Sequence, residues 1–178
     1  QQGHRLRFER LHVPGAGPSA RFYQAVSDPG GRVWIPSTAG LFVHDHGQWR
    51  RFGPEEGLRD AGVLAVAAAG GGCWLAYAEP LGVSHLAEAA GRVTIRHFDH
   101  HNGMGSNKVY ALGIDLRGRL WAGTDAGVDV YENNTWTHYG RSSGLIWEDC
   151  DTNGIWPDPD GSVWIGTSGG LAHYRPSP

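Results

Sequence analysis

Apolar and polar residues alternate in short runs along this chain, and each run stops at a turn signal. Phe22 to Asp28 and Val109 to Asp115 are alternations that end on an acidic residue, and each reads as an innermost strand. An Asp-x-x-Gly turn follows at Asp28–Gly31, Asp115–Gly118 and Asp158–Gly161. Asp accepts backbone N–H bonds at the first turn position, and Gly takes the strained end. A second strand is built around a tryptophan, at Trp34, Trp74, Trp121 and Trp164. The third begins at a Gly-Leu or Gly-Val step, as in Leu41 to His44 and Leu171 to Tyr174. The fourth carries an aromatic pair: Trp49 with Phe52, His97 with Phe98, Trp136 with Tyr139.

The four tryptophans are 40, 47 and 43 residues apart. That period suits a four-stranded propeller blade. The prediction is therefore all-β: four blade units of about 43 residues, each of four antiparallel strands, within one domain over 1–178. The units run approximately 22–58, 59–104, 105–145 and 146–178. The last stops after its third strand, whereas residues 5–13 read as an outer strand with no unit before them. Pairing the two ends would close the ring and remove exposed edges. Alternatively, the units belong to a larger propeller, or two chains complete one ring.

Composition adds little that contradicts this pattern. The 28 Gly and 8 Trp in 178 residues fit tight turns and thin aromatic cores. A formal net charge of −3, with Lys108 the single lysine, gives no expectation of nucleic-acid binding. No apolar run approaches the roughly 20 residues of a membrane span. No signal-peptide pattern is present, although Gln1-Gln2-Gly3 is compatible with a mature end after cleavage. Cys73 and Cys150 match no zinc spacing, and read as buried free thiols with a mutual bridge as the alternative.

The pattern Asp-x-x-Gly-x-hydrophobic-Trp-hydrophobic-Gly-Thr-x-x-Gly-Leu resembles the two-component regulator propeller repeat. Asp158 to Thr167 carries the likeness most closely, and Asp115 to Val128 nearly as well. The first unit has Pro36-Ser37-Thr38 in place of Gly-Thr. The second keeps Trp74 and Gly82 but has lost the Asp turn. The resemblance covers residues 22–174 and implies the extracytoplasmic, periplasmic sensor of a membrane-bound regulator. Such regulators carry histidine kinase or diguanylate cyclase domains downstream, and glycans are their best-known inputs.

Each cluster that could carry chemistry also has a structural reading. Asp149-Cys150-Asp151-Thr152-Asn153-Gly154 imitates the start of a calcium loop, with Asp160 at the twelfth position. Pro157 and Pro159 break that loop, and the repeat assigns the segment to an inner strand and its turn. His44 with His46, and His97 with His100 and His101, lack a third ligand nearby and read as surface histidines. No Gly-x-Ser-x-Gly elbow occurs. The four tryptophans recur in every unit and read as core between blades. Thr38, Thr124 and Thr167 read as turn-closing hydroxyls. No cofactor or metal is expected, and the segment is not expected to be an enzyme.

Function is sought where the units differ, in the loops that enter the inner strands. These carry Arg21 and Tyr23; Asn107, Lys108 and Tyr110; and Trp147, Asp149 and Asp151. Aromatic faces with a few polar partners suit a glycan or another small polar ligand. The first expectation is thus a ligand-sensing propeller, the second an interaction scaffold that forms a homodimer or docks a protein. The third is a lyase-like enzyme using a metal with His44 or His97.

Overall fold

A computed structural model of the protein describes residues 7–176. Fifteen strands form four separate antiparallel sheets. The first sheet holds β1 (Val26–Ser27), β2 (Val33–Ser37), β3 (Gly40–Asp45) and β4 (Gln48–Phe52). The second holds β5 (Val63–Ala69), β6 (Gly72–Tyr77), β7 (Val83–Ala89) and β8 (Arg92–Phe98). The third holds β9 (Val109–Ile114), β10 (Leu120–Thr124), β11 (Gly127–Glu132) and β12 (Thr135–Tyr139). The fourth has three strands, β13 (Cys150–Pro157), β14 (Val163–Thr167) and β15 (Gly170–Tyr174). Each sheet is a blade with its strands in chain order, and the inner strands β5, β9 and β13 pack successively around one axis. The all-β propeller architecture predicted from the repeat is the architecture observed.

Three of the four tryptophans fill the joints between blades. Trp34 is buried with Leu86 and Ile95 of blade 2. Trp74 meets Tyr131 and Trp136 of blade 3 at ring separations of 5.1 and 6.3 Å. Trp121 packs on Tyr174 of blade 4 at 4.8 Å. Trp164 is the exception: it is half-buried, because no blade lies beyond it among the described residues. The expectation that all four tryptophans are core therefore holds for three.

The Asp turn does more than close a loop. The Asp28 carboxylate is 1% exposed and accepts from the Gly30 and Arg32 amides, from Arg32 Nε at 2.7 Å and from Trp34 Nε1 at 3.0 Å. Asp115 repeats this with the Arg117 and Arg119 amides, Arg119 Nε at 2.7 Å and Trp121 Nε1 at 2.8 Å. Each arginine then reaches into the next blade, Arg32 to Glu88 and Arg119 to the Tyr174 hydroxyl at 3.4 Å. Burial pushes both carboxyls up, but the tryptophan and arginine bonds outweigh it and leave them below the ordinary carboxylate range.

Blades 2 and 4 use another device. Blade 2 has Ala68 and Gly72 where the Asp and Arg would stand, and Trp74 stacks instead on His85, its partner across the strand, at 4.4 Å. Blade 4 has Ser162 in the arginine position, and Trp164 stacks on His173 at 3.7 Å and 8°. The four units are thus an alternation of two blade types.

The hydroxyl turns follow the prediction with one shift of position. Thr124 Oγ1 donates to the Gly127 carbonyl and accepts from the Ala126 amide, and Thr167 Oγ1 donates to Gly170. In blade 1 the equivalent group is Ser37, which donates to Gly40 and accepts from Ala39. Thr38 instead accepts from the Arg21 amide. Because Thr124 is fully buried, Thr124→Val leaves the Gly127 carbonyl and the Ala126 amide short of a partner. We expect a loss of about 1–3 kcal/mol in urea unfolding.

The connections between blades share one form. Each outer strand runs into a single 3-10 turn capped by a left-handed glycine, Gly57, Gly103 or Gly144, followed by buried Leu58, Met104 or Leu145. At the second connection the buried Asp129 of blade 3 accepts from the Gly105 and Ser106 amides and bonds His138. Burial raises its carboxyl above the ordinary range, against these bonds.

The N-terminal outer strand is not formed. Residues 7–13 pair with no strand, and the blade 4 sheet ends at β15; residues 5 and 6 lie outside the described residues. The reason is the open arc. Phe22 packs on Phe42 and Gly15 lies against Arg51, which ties the segment to blade 1. Cys73 and Cys150 are both free and buried, in blades 2 and 4.

Candidate functional site

One backbone hydrogen bond recurs in all four blades and defines a face. A residue on the entrance to the inner strand offers its carbonyl to the amide of the turn between the second and third strands. The pairs are Arg21 with Thr38, Gly62 with Ala78, Lys108 with Asp125, and Asp149 with Ser168, at 2.8–3.2 Å. Backbone geometry is constant around the arc while side chains vary, so this ring is where one blade differs from another.

The ring carries charged side chains on three of the four blades. Arg21 stands on blade 1, and blade 2 contributes only Gly62 and Ala78. Lys108 lies 5.5 Å from the Tyr110 ring centre. The Tyr110 hydroxyl, then Asp125 and Asp149, raise its ammonium above the ordinary lysine value. On blade 4 the Ser168 hydroxyl lies 3.0 Å from Asp149 Oδ2 and 3.3 Å from Asp151 Oδ1. One hydroxyl proton thus serves two carboxylates, and the other carboxylate lone pairs face solvent. On blade 3, Ser106 Oγ donates to Asp125 at 2.5 Å and accepts from the Lys108 amide.

Of the residues singled out from the sequence, Arg21, Lys108 and Asp149 occupy equivalent ring positions. Tyr23, Tyr110 and Asp151 each follow two residues later. Trp147 lies beside the ring, against Gly169 and under the Arg141 guanidinium at 5.1 Å. Asn107 is otherwise engaged: its carboxamide bonds His100 and its carbonyl accepts from Gly82 of blade 2. The structure adds Asp125 and Ser168 to this face. Their signal was present, since each follows the recurrent Thr of its turn.

The inner strands line an open cavity of about 350 Å3, with Val66, Leu112, Ile114 and Trp156 and the carboxamides of Gln24 and Asn153 on its wall. Gln24 is half committed, its carboxamide bonding both backbone groups of Val66 at 3.2 and 3.3 Å.

The calcium-like segment forms β13 instead of a loop. Its register shifts between Cys150 and Ile155, Asn153 takes a left-handed φ of 57°, and Asp160 binds the Ser162 amide in a distant turn. His44 packs at a tilt against Trp49 in blade 1, while His97 bonds Ser84 within blade 2. Burial, with Arg59 adding, lowers the His97 pKa. The two histidines share no site. Among the described residues, Asp99, His100 and His101 bring ligand atoms within 4.8 Å of one another. Asp99 already accepts from Arg59 at 2.9 Å and from the His101 amide, so a cation there would face a guanidinium.

No family model matches the chain, and no curated protein matches it in sequence. Solved structures do. The extracellular domain of the hybrid two-component system BT3049 from B. thetaiotaomicron superimposes with a TM-score of 0.72 at 22% identity, over 88% of this chain and 22% of that one. The extracellular domain of the one-component system BT4673 from the same organism gives 0.65 at 19% identity, over 88% and 22%. The chain has the blade fold of these extracellular domains. It also superimposes on virginiamycin B lyase from Staphylococcus aureus with a TM-score of 0.61 at 10% identity, over 93% of this chain and 58% of that one. The four blades therefore span about a fifth of the two extracellular domains and just over half of the lyase. No helix among the described residues is long and apolar enough to cross a membrane.

Proposed function

We propose that these blades are a ligand-sensing, extracytoplasmic part of a bacterial signalling receptor, and that the loop ring binds a small polar ligand of the glycan class. The observation that carries this reading is the recurrent backbone bond that gathers Arg21, Lys108, Asp125, Asp149 and Ser168 on one face, with Asp151 joined to them through the Ser168 hydroxyl. Structural roles account for the tryptophans, turn hydroxyls and buried Asp–Arg pairs, whereas these side chains leave most of their bonding capacity free. Paired carboxylates accept from vicinal sugar hydroxyls, and Tyr23 and Trp147 supply exposed rings for a sugar face. The similarity to extracellular domains of one- and two-component systems supports the receptor context. Fold similarity to a lyase carries no chemistry by itself, because propellers host many functions.

The test is a thermal-shift and calorimetric screen of neutral and charged oligosaccharides. A ligand bound only by the native state raises the melting temperature. The double substitution Asp149→Asn/Asp151→Asn is expected to weaken binding at least tenfold without changing the melting temperature of the free protein. Binding that persists undiminished in this variant would move the site away from the ring.

A further inference from the structure

The outer strands of blades 2 and 3 each carry a histidine at the same place in the repeat. His97 of β8 stands opposite Ser84 of β7, and His138 of β12 stands opposite Asp129 of β11. Both partners are fully buried. Each ties its histidine to the connection that arrives from the preceding blade. We propose that the first tie is a proton-operated latch. Protonation of His97 releases the Arg59 amide, frees the connection over residues 57–62 and loosens the joint between blades 1 and 2. The second tie holds.

The direction of a buried hydrogen-bond chain carries the argument. The Arg59 amide donates to the Tyr77 hydroxyl at 3.0 Å. That hydroxyl lies 2.7 Å from Ser84 Oγ, which lies 2.7 Å from His97 Nδ1. The two hydroxyls have no other partner among the described residues, and a backbone N–H can only donate. One arrangement therefore pairs every proton: Arg59 donates to Tyr77, Tyr77 to Ser84, and Ser84 to the lone pair on Nδ1. A charged His97 carries a proton on Nδ1 and reverses the last step. Whichever way the hydroxyls then turn, one proton lacks an acceptor. Tyr77 is 1% exposed and Ser84 fully buried, so water does not reach the middle of the chain. Balance returns when the Arg59 amide leaves and water takes its place. His97 then donates to Ser84, Ser84 to Tyr77, and Tyr77 to water. Arg59 lies at the exposed end, where that exchange is open.

Charge acts in the same direction. Burial, then the Arg59 guanidinium, hold the His97 pKa below its ordinary value, against the Gly57 backbone and Asp99. Asp99 is engaged on both oxygens. Oδ2 accepts from Arg59 at 2.9 Å, and Oδ1 meets the His101 amide and ring at 2.9 and 3.1 Å. Asp60, on the connection itself, acts on Tyr77. Because the folded value is depressed, the stabilisation from the latch is complete above the unfolded-state pKa near 6.5. It is lost as pH falls through the lower folded value.

The joint depends on this chain because Tyr77 packs with Trp34, Phe52 and Leu58 between blades 1 and 2. Gly62, at the end of the connection, is the blade 2 member of the loop ring. The latch does not depend on what that ring binds. His138 answers differently to a proton. Asp129 accepts from its Nδ1 at 2.7 Å and from the Gly105 and Ser106 amides at 3.0 and 3.4 Å. Every donor of that set already points at the carboxylate, so a charged imidazole reverses nothing and meets a counter-charge.

Hydrogen exchange at pH 7.5 and pH 5, corrected for the intrinsic pH dependence of exchange, tests the latch. Opening over residues 57–62 is expected to rise about tenfold at pH 5, while residues 103–108 keep their protection. His97→Gln keeps an acceptor for Ser84 without a titrating proton, and is expected to abolish the rise. Tyr77→Phe removes the acceptor of the Arg59 amide and is expected to open the connection at both pH values. His138→Gln is expected to leave the rise intact. Equal protection of residues 57–62 at both pH values would overturn the proposal, as would a rise that survives in His97→Gln. An equal rise at residues 103–108 would overturn it too, by placing the response in general acid loosening. The two connections are compared within the unaltered chain, so that comparison stands even where a variant folds poorly.

Discussion

Replacing Asp115 with alanine is expected to destabilise the domain by about 3–5 kcal/mol, the cost of removing one partner of a buried ion pair. Four donors converge on this carboxylate: two turn amides, the Arg119 guanidinium and the Trp121 indole. Alanine leaves the Trp121 N–H without its acceptor and a nearly buried guanidinium without its counter-charge at the joint between blades 3 and 4. Asp115→Asn keeps an acceptor for the indole and is expected to cost less, because only the charge is lost. Urea unfolding at neutral pH checks both. Acid gives a second signature. The folded carboxyl titrates below its ordinary value, so its contribution is complete above the unfolded-state pKa near 3.8 and is lost as pH falls through the lower folded value. The gap between wild type and Asp115→Asn should therefore close on acidification and stay constant from pH 5 to 8. A gap that persists at low pH would mean that geometry, not charge, sets the cost.

Much of this architecture was legible in the spacing of a few residues. Period-two alternation, the Asp-x-x-Gly turns and the recurrent tryptophans located the strands of every blade, because one-sided burial and turn chemistry act locally. The Asp-Arg-Trp box was also readable, since Asp28, Arg32, Trp34 and Asp115, Arg119, Trp121 share the same offsets. Its aspartate serves as turn former and as buried acceptor at once, and only the first role shows in a local pattern. What could not be read was how the blades meet. The pairing of residues 7–13 depends on whether the arc closes, a property of blade rotation that no local pattern encodes. The candidate face divides the same way. The positions of Arg21, Lys108 and Asp149 follow from strand boundaries. The sharing of Ser168 by two carboxylates, and the diversion of Asn107 to His100, depend on loops from different parts of the chain.

Trp74→Ala is expected to cost a further class of stability, about 3–5 kcal/mol, because the site cannot collapse. Trp74 sits at the centre of an aromatic cluster, with ring centres of His85, Phe98, Tyr131 and Trp136 at 4.4, 5.3, 5.1 and 6.3 Å. Those neighbours belong to two blades and are held by separate strand ladders, so truncation leaves a void that neither sheet can close alone. Trp164→Ala removes the same side chain from the same position of the repeat. It faces no following blade among the described residues and is expected to cost less than half as much. The contrast separates burial between blades from any intrinsic demand of the strand for tryptophan. Equal losses at the two positions would place the role of this residue within its own sheet, through its stack on the cross-strand histidine. A large loss at 74 and a small one at 164 would show that the tryptophan of each unit acts on the blade that follows it.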